Sequence, residues 1–346
     1  MVGRKSDERI RLAIILPTEK AGKIRLPVRI AKLCKERSIE VTVIDFLNKQ
    51  QQNTDQIEGE YDVLLHKALD FLNEPGIAAD EGTRLIQKVN DFIRRNPGMV
   101  VIDELDSCSK ISDRMHCHRV MENAVMVKDG IEVFVPKSIE ISGEGLSIER
   151  IRELLHGAEM RLPVLAKPMH TNDKLMSMVF SPDDAGEIRT PSLVQEFFNH
   201  SGVMYKVFVI GDRFHIIQRP SIKDFGPDQQ KLVKLDSRDV SKMGRGFHPQ
   251  FHHSDPAKQT WQTSFETPDL LNTPVVSELC KNLSRSSGLR LFGVDILVVK
   301  ETGNYAIVDI NQFPGYKGIP DEIFAEDFVE MVVKAFNGKN KNNHNF

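Results

Sequence analysis

The chain has 346 residues, with 46 Lys and Arg against 49 Asp and Glu, a formal net charge of −3 at pH 7, 40% hydrophobic and 27% charged residues. That balance suits two or three packed lobes and argues against wholesale disorder and a broadly basic nucleic-acid binder. No apolar run reaches the roughly 18–20 residues that span a bilayer, and Cys34, Cys108, Cys117 and Cys280 form no CxxC pair, so the expectation is a cytoplasmic chain with reduced thiols and no membrane insertion.

From the amino end, RLAIILP (11–17) predicts a buried strand, and Pro27 opens a helix with Ile30, Leu33 and Cys34 at helical spacing. VTVIDF (41–46), DVLLH (62–66) and MVVID (99–103) predict three more strands, with a helix over 79–95. Strands alternating with helices make residues 10–108 a small parallel α/β lobe. The polar run NKQQQNTD (48–55) reads as a surface loop.

From Ser112 the texture changes. A helix over 112–126 leads to strands at 132–136 and 162–167, separated by a helix over 147–156. Met176 and Met178 alternate on a strand and read as core. Strands at 193–198, 203–211, 213–219 and 230–235 follow, then a helix over 275–286, strands at 291–300 and 304–311, and a last helix over 321–336. This is an α+β pattern with a large antiparallel sheet, divided into a central lobe (109–195) and a C-terminal lobe (196–337). The polar tail 338–346 is expected to be disordered. His252 and His253, in FHPQFHHSDP, read as loop surface. His116, Cys117 and His118 are adjacent on a helix, diverge, and make no metal site with Cys108.

The most informative stretch is LFGVDILVVKETGNYAIVDINQFPGYKG (291–318). Residues 301–304 (ETGN) form a turn between two apolar runs, so this is a hairpin. By period two, Tyr305, Ile307, Asp309 and Asn311 share one face, and a register centred on Thr302 sets Asp295 opposite Asp309. Like charges facing each other destabilise a sheet, and a hard divalent cation relieves them. Oxygen donors without His or Cys suit magnesium or manganese over zinc.

Two lysines sit in apolar strands, Lys167 in PVLAK and Lys206 in VMYKVFVIG. A buried ammonium needs an anion. Together with the acidic hairpin, they point to cations for phosphate oxygens and carboxylates for the metal that bridges them. Lys20 and Lys23 follow the first strand and Lys67 ends the third. In a parallel sheet these are carboxyl ends, where ligands bind.

The ordered blocks LLHK, SDRM, PVLAKP, VQEFFNHSGVMYKVFVIG, QRPSIKDF, LFGVDILVV and VDINQFPGYKG, spread over residues 12–336, resemble the inositol-tetrakisphosphate 1-kinases. These are also called inositol trisphosphate 5/6-kinases and belong to the ATP-grasp superfamily. The resemblance implies an ATP-grasp fold whose N-terminal lobe binds inositol phosphate and whose other two lobes clasp ATP. It implies an ATP-dependent kinase that phosphorylates hydroxyls of inositol tris- and tetrakisphosphates, with ATP and two magnesium ions, as a monomer.

Position by position, Arg114 and Lys167 match ATP-phosphate ligands. The segment from Gln195 through Glu196, Phe197 and Phe198 to Lys206 matches the one that holds adenine and ribose. Lys206 reaches the transferring phosphate or the substrate. Ser221, Ser237 and Ser241 match nucleotide contacts. Asp295, Asp309 and Asn311 match magnesium ligands. Asn311, Gly315, Lys67 and either Lys20 or Lys23 match inositol-phosphate contacts. One stretch departs from the family: PMHTNDKLMSMVF lacks a glycine, is shorter, and sets Lys174 where a substrate-contacting histidine aligns, with His170 nearby. Lys174 remains a cation for phosphate and joins Lys167 and Lys206 as a catalytic candidate, but it is no neutral acceptor near pH 7. Two other readings stay open at this level. One is a carboxylate–amine ligase that shares the hairpin and both lysines. The other is a weakened module that binds inositol phosphate or nucleotide as a sensor, favoured only by the altered loop.

Overall fold

A computed structural model describes residues 9–46, 57–143, 145–169, 174–226, 232–240 and 269–342, with 252, 263, 265 and 267 singly between them. The loop 48–55, His170, Ser241, His253 and Trp261 lie outside the described residues.

The N-terminal lobe runs β1 (Ile10–Ile15), α1 (Thr18–Ile24), α2 (Leu26–Glu36), β2 (Ile39–Val43), β3 (Val63–His66), a 3-10 turn (Ala68–Asn73), α3 (Ala79–Arg95) and β4 (Val100–Ile102). Its four strands are parallel in the order β2-β1-β3-β4. β1 is apolar throughout because both of its faces are covered. Leu12 and Ile14 pack on the side of α2, and Ala13 and Ile15 on the side of α3. Lys67 and the helix that carries Lys20 and Lys23 therefore follow the carboxyl ends of β3 and β1.

Next come α4 (Leu105–Ser112) and α5 (Arg114–Glu122) in place of the single helix expected over 112–126. The break is Asp113, extended, whose side chain accepts from the His116 N–H at 2.8 Å and caps α5. The chain continues with β5 (Met126–Lys128), β6 (Ile131–Phe134), β7 (Ser138–Ile141), α6 (Ile148–Gly157), β8 (Val164–Pro168), β9 (Leu175–Val179), β10 (Ser192–Glu196), β11 (Val203–Ile210), β12 (Arg213–Pro220), β13 (Val233–Asp236), α7 (Ser237–Val240), α8 (Thr273–Ser287), β14 (Leu291–Val298), β15 (Tyr305–Gln312) and α9 (Asp321–Asn342).

These strands form two sheets, β13-β9-β8-β10-β7 and β12-β11-β14-β15-β6-β5. Every pairing in them is antiparallel except β15 with β6. The sheets do not follow the division at residue 195. β5 and β6, from the stretch assigned to the central lobe, extend the six-stranded sheet, and β13 crosses to the five-stranded one. α4, α5 and α8 cover the back of the six-stranded sheet. α8 starts at the Asn272 cap and stops at Gly288, whose φ of 75° is left-handed.

α9 returns to the N-terminal lobe, where Phe324, Phe328 and Val332 pack in one core with Leu26 and Ile30 of α2. The tail expected to be disordered from 338 instead continues this helix to Asn342. Lys339 Nζ anchors it on the carbonyls of Pro97 (3.0 Å) and Met99 (2.6 Å). His252, expected on an exposed loop, is buried with Nε2 3.2 Å from the Val240 carbonyl. No described helix is long and apolar enough to cross a membrane.

Candidate active site

The hairpin supplies the acidic groups. Near the turn Val298 pairs with Tyr305 and Ile296 with Ile307, and then the register shifts by one so that Asp295 faces Asp309. Val308 is the extra residue of a β-bulge. This corrects the alternation expected from sequence. Tyr305 and Ile307 face the back core with Ile310, whereas Ala306 and Val308 pack on the other side. The bulge gives Asp309 the front face, which Asp295 also occupies, and Asn311 follows it there by period two.

Asp295 is buried, and burial raises its pKa, as does neighbouring Asp309, while the Lys206 ammonium opposes both. Lys206 lies directly across β11–β14 from Asp295, with Nζ 2.7 Å from Oδ1 and 3.0 Å from Oδ2. Only the second contact has hydrogen-bond geometry, so Oδ1 is sealed from water without a hydrogen bond. Asn311 Nδ2 donates to Asp309 Oδ2 at 3.0 Å, which leaves the amide oxygen as its remaining donor atom. A buried carboxylate held by the Lys206 ammonium, a second carboxylate opposite and an amide oxygen form a hard-oxygen set that fits a magnesium-type cation. Among the described residues no three His, Cys, Asp or Glu side chains gather as metal ligands, and Cys117 Sγ is directed at the Ile310 carbonyl, 3.9 Å away.

Arg219 on β12 also serves this face, and sequence reasoning missed it as a site residue. Burial lowers its pKa while Asp295 opposes, and its Nη2 donates to the Lys317 carbonyl at 3.2 Å. It lies inside the quoted block QRPSIKDF.

The five-stranded sheet supplies Lys167, at the end of β8. Its Nζ donates to Gln195 Oε1 (2.6 Å) and to the carbonyl of the bulge residue Val308 (3.2 Å). Burial lowers its pKa to about 8, with Asp309 opposing and Arg114 adding to the fall. Gln195 is itself held by Nε2 donating to Ser138 Oγ at 3.1 Å, so its side chain orients Lys167. Arg114, the first residue of α5, donates from Nε to the Pro168 carbonyl at 2.7 Å. Lys174 is half-buried just before β9.

Between the sheets runs Glu196-Phe197-Phe198. Glu196 and Phe197 spend their N–H groups on the carbonyls of Lys137 (2.9 Å) and Pro163 (3.0 Å). Phe198 N–H makes no hydrogen bond among the described residues. The Glu196 carboxylate accepts from the Arg161 N–H at 2.8 Å. Buried His200, two residues on, has Nδ1 2.7 Å from the Phe198 carbonyl and Nε2 2.8 Å from Ser221 Oγ. A carbonyl only accepts, so Nδ1 carries a proton, and with the ring neutral Ser221 donates to Nε2. Asp224 Oδ1 accepts from the N–H groups of His200 (2.9 Å) and Ser201 (2.7 Å). Ser237 is the first residue of α7.

These groups bound a cavity of about 310 Å³ lined by Arg114, Lys167, Lys174, Gln195 to Phe198, Lys206, Ser221, Asp295, Asp309 and Asn311. A larger cleft, about 580 Å³, lies elsewhere, and its lining charges are largely paired with one another, as in Arg213–Glu330 and Lys334–Asp212.

The N-terminal lobe reaches the hairpin through Lys67, whose Nζ donates to the carbonyls of Gln312 (2.9 Å) and Phe313 (3.1 Å). Lys67 and Lys20 share Asp70, whereas Lys23 pairs with Glu19 on the exposed side of α1. A side chain added at Gly315 would meet no protein atom within 4 Å, so this residue opens onto space.

Residues 127–334 match the inositol 1,3,4-trisphosphate 5/6-kinase ATP-grasp domain, and residues 15–108 match the pre-ATP-grasp domain of the same family. The inositol-tetrakisphosphate 1-kinase of Xenopus laevis is 30% identical over 308 residues, covering 88% of this chain and 73% of its own. That of Danio rerio is 29% identical over 312 residues, covering 89% and 74%. Among solved structures, an ATP-grasp ligase, PsnB, complexed with its minimal precursor is similar with a TM-score of 0.58 at 13% identity, over 94% of this chain and 100% of that one. The D-alanine–D-alanine ligase of Bacillus anthracis is similar with a TM-score of 0.54 at 13% identity, over 95% and 99%. At that identity the likeness establishes the ATP-grasp fold alone. The chain belongs to the inositol 1,3,4-trisphosphate 5/6-kinase family, whose curated members here are inositol-tetrakisphosphate 1-kinases.

Proposed function

We propose that this chain is an ATP-dependent kinase that phosphorylates hydroxyl groups of inositol tris- and tetrakisphosphates. The observation that carries the reading is the meeting of Lys167, Lys206, Asp295, Asp309 and Asn311 around one cavity, in a chain of this family. Adenine lies on the segment 195–198, where the Phe198 N–H is the unspent donor, with Glu196 and Phe197 beside it. Ser221 lines the remainder of the nucleotide. Arg114 and Lys167 hold the phosphates.

Asp295, Asp309 and Asn311 would hold magnesium, two ions in this reading, which neutralises the β- and γ-phosphates when bound. Lys206 neutralises charge that builds as the phosphoryl group passes in line to the inositol hydroxyl. Lys20, Lys67, Lys174, Asn311 and Gly315 bind the acceptor's phosphates. Lys20 is preferred over Lys23 because it shares a carboxylate with Lys67. The protein acts as a monomer by positioning and electrostatics.

Release of ADP from ATP and magnesium tests this proposal. Release that depends on an added inositol tris- or tetrakisphosphate supports it. Release only with a carboxylate and an amine would mark a ligase. Binding of nucleotide and inositol phosphate without release would mark a sensor.

A further inference from the structure

The lysines of the N-terminal lobe are already occupied. Lys20 Nζ lies 3.2 Å and Lys67 Nζ 3.4 Å from one and the same atom, Oδ2 of Asp70. Lys67 also donates to the Gln312 and Phe313 carbonyls, at 2.9 and 3.1 Å. An ammonium has three protons, so two carbonyls and Asp70 complete its set. Burial lowers the pKa of Lys67, with Asp70 the largest opposing influence. Two ammonium groups converging on one oxygen atom form an oxyanion site, and here the oxyanion belongs to the chain. Asp70 stands on the 3-10 turn that follows Lys67, with its side chain about a quarter exposed, at 25%, so water is there for it to turn to.

We propose that Asp70 sets the affinity of the acceptor site: its carboxylate stands in for a substrate phosphate on Lys20 and Lys67 and must be displaced for substrate to bind. The inference rests on the reading of these lysines as phosphate ligands. Its consequence is an affinity threshold. Any anion that settles between Lys20 and Lys67 must first displace Asp70, and the displacement takes the same free energy from every ligand. A phosphate monoester, with about −1.5 to −2 charges near pH 7, offsets it better than a single carboxylate does. Lys23 takes no part, because its partner is Glu19.

The test is calorimetric titration of the full chain, wild type and Asp70→Asn, with inositol 1,3,4-trisphosphate and with citrate as a tricarboxylate probe. Asp70→Asn should tighten trisphosphate binding roughly three- to thirtyfold. Citrate, if it occupies the same two lysines, should gain by about the same factor. Adding Lys20→Met to Asp70→Asn should cancel the gain, and Asp70→Ser should repeat its direction. Unchanged or weaker trisphosphate binding in Asp70→Asn, in a protein that melts like wild type, overturns the proposal. A gain for citrate with none for the trisphosphate overturns it as well. If wild type itself binds no trisphosphate, the kinase reading falls first and takes this inference with it.

Discussion

Asp309 faces Asp295 because β15 carries one residue more than β14 between this pair and the turn. That residue, Val308, performs two tasks. Its insertion turns Asp309 from the back core to the cavity, and its carbonyl accepts from Lys167 of the other sheet at 3.2 Å. The bulge thus aims a carboxylate and anchors a phosphate-binding candidate at one point.

Asp309→Asn should lower turnover by at least about a thousandfold, since a lost metal ligand removes several kcal/mol of transition-state stabilisation. The fold should survive. Asp309 repels buried Asp295 but also offsets the buried Lys167 ammonium, and the two effects oppose, so the variant should melt close to wild type in metal-free buffer. Magnesium with nucleotide should raise the melting temperature of wild type much more than that of the variant. Thermal melts and initial rates check both halves.

Lys206→Met removes the cation beside Asp295. The buried carboxylate then costs about 3–5 kcal/mol of stability at pH 8. The folded-state pKa of Asp295 is raised above its unfolded value by burial, so the penalty is absent at low pH and grows as pH rises. Denaturant melts should show a smaller loss at pH 5 than at pH 8. The double variant Lys206→Met/Asp295→Asn should recover most of it.

Asp103 ties the N-terminal lobe to the start of β14, accepting from the N–H groups of Arg290 (2.8 Å) and Leu291 (3.1 Å). Burial pushes its pKa up from 3.8 to about 6, with the two amides opposing. A group raised in this way contributes stability below its unfolded pKa that is lost as pH rises through the folded value. Asp103→Asn lacks that titration. The stability of wild type relative to the variant should therefore fall by roughly 3 kcal/mol between pH 3.5 and pH 7.5, read from paired melts across that range.

His200→Phe keeps the ring but loses the bonds to the Phe198 carbonyl and Ser221. KM for ATP should rise about tenfold while kcat changes little, because the loss falls on nucleotide positioning. Ser221→Ala in the same background should add little, since the two side chains act as one unit. Additive effects in steady-state kinetics would separate them.

Much of this was legible in the residues. Apolar strands alternating with amphipathic helices gave the parallel lobe, and Asp295 and Asp309 announced themselves as carboxylates within apolar strands. The faces of β15 were not legible. A bulge depends on tertiary pairing, and period-two reading through Val308 sets Tyr305 and Ile307 on the wrong side. The break at Asp113 was missed because a helical pattern runs through it and only a cap marks the boundary. The tail past Gly338 looked too polar to order, yet Lys339 finds two carbonyls that sequence could not place beside it. Asp70 was passed over because its meaning lies in two lysines brought to one oxygen by the fold.

The most direct measurement is anion-exchange separation of the products formed from ATP, magnesium and a panel of inositol tris- and tetrakisphosphates, by wild type and by Asp309→Ala. A new inositol peak with one more phosphate, made by wild type and absent with the variant, is the expected result. Retained product formation by Asp309→Ala would contradict the metal assignment, and no product from wild type with any acceptor would contradict the kinase.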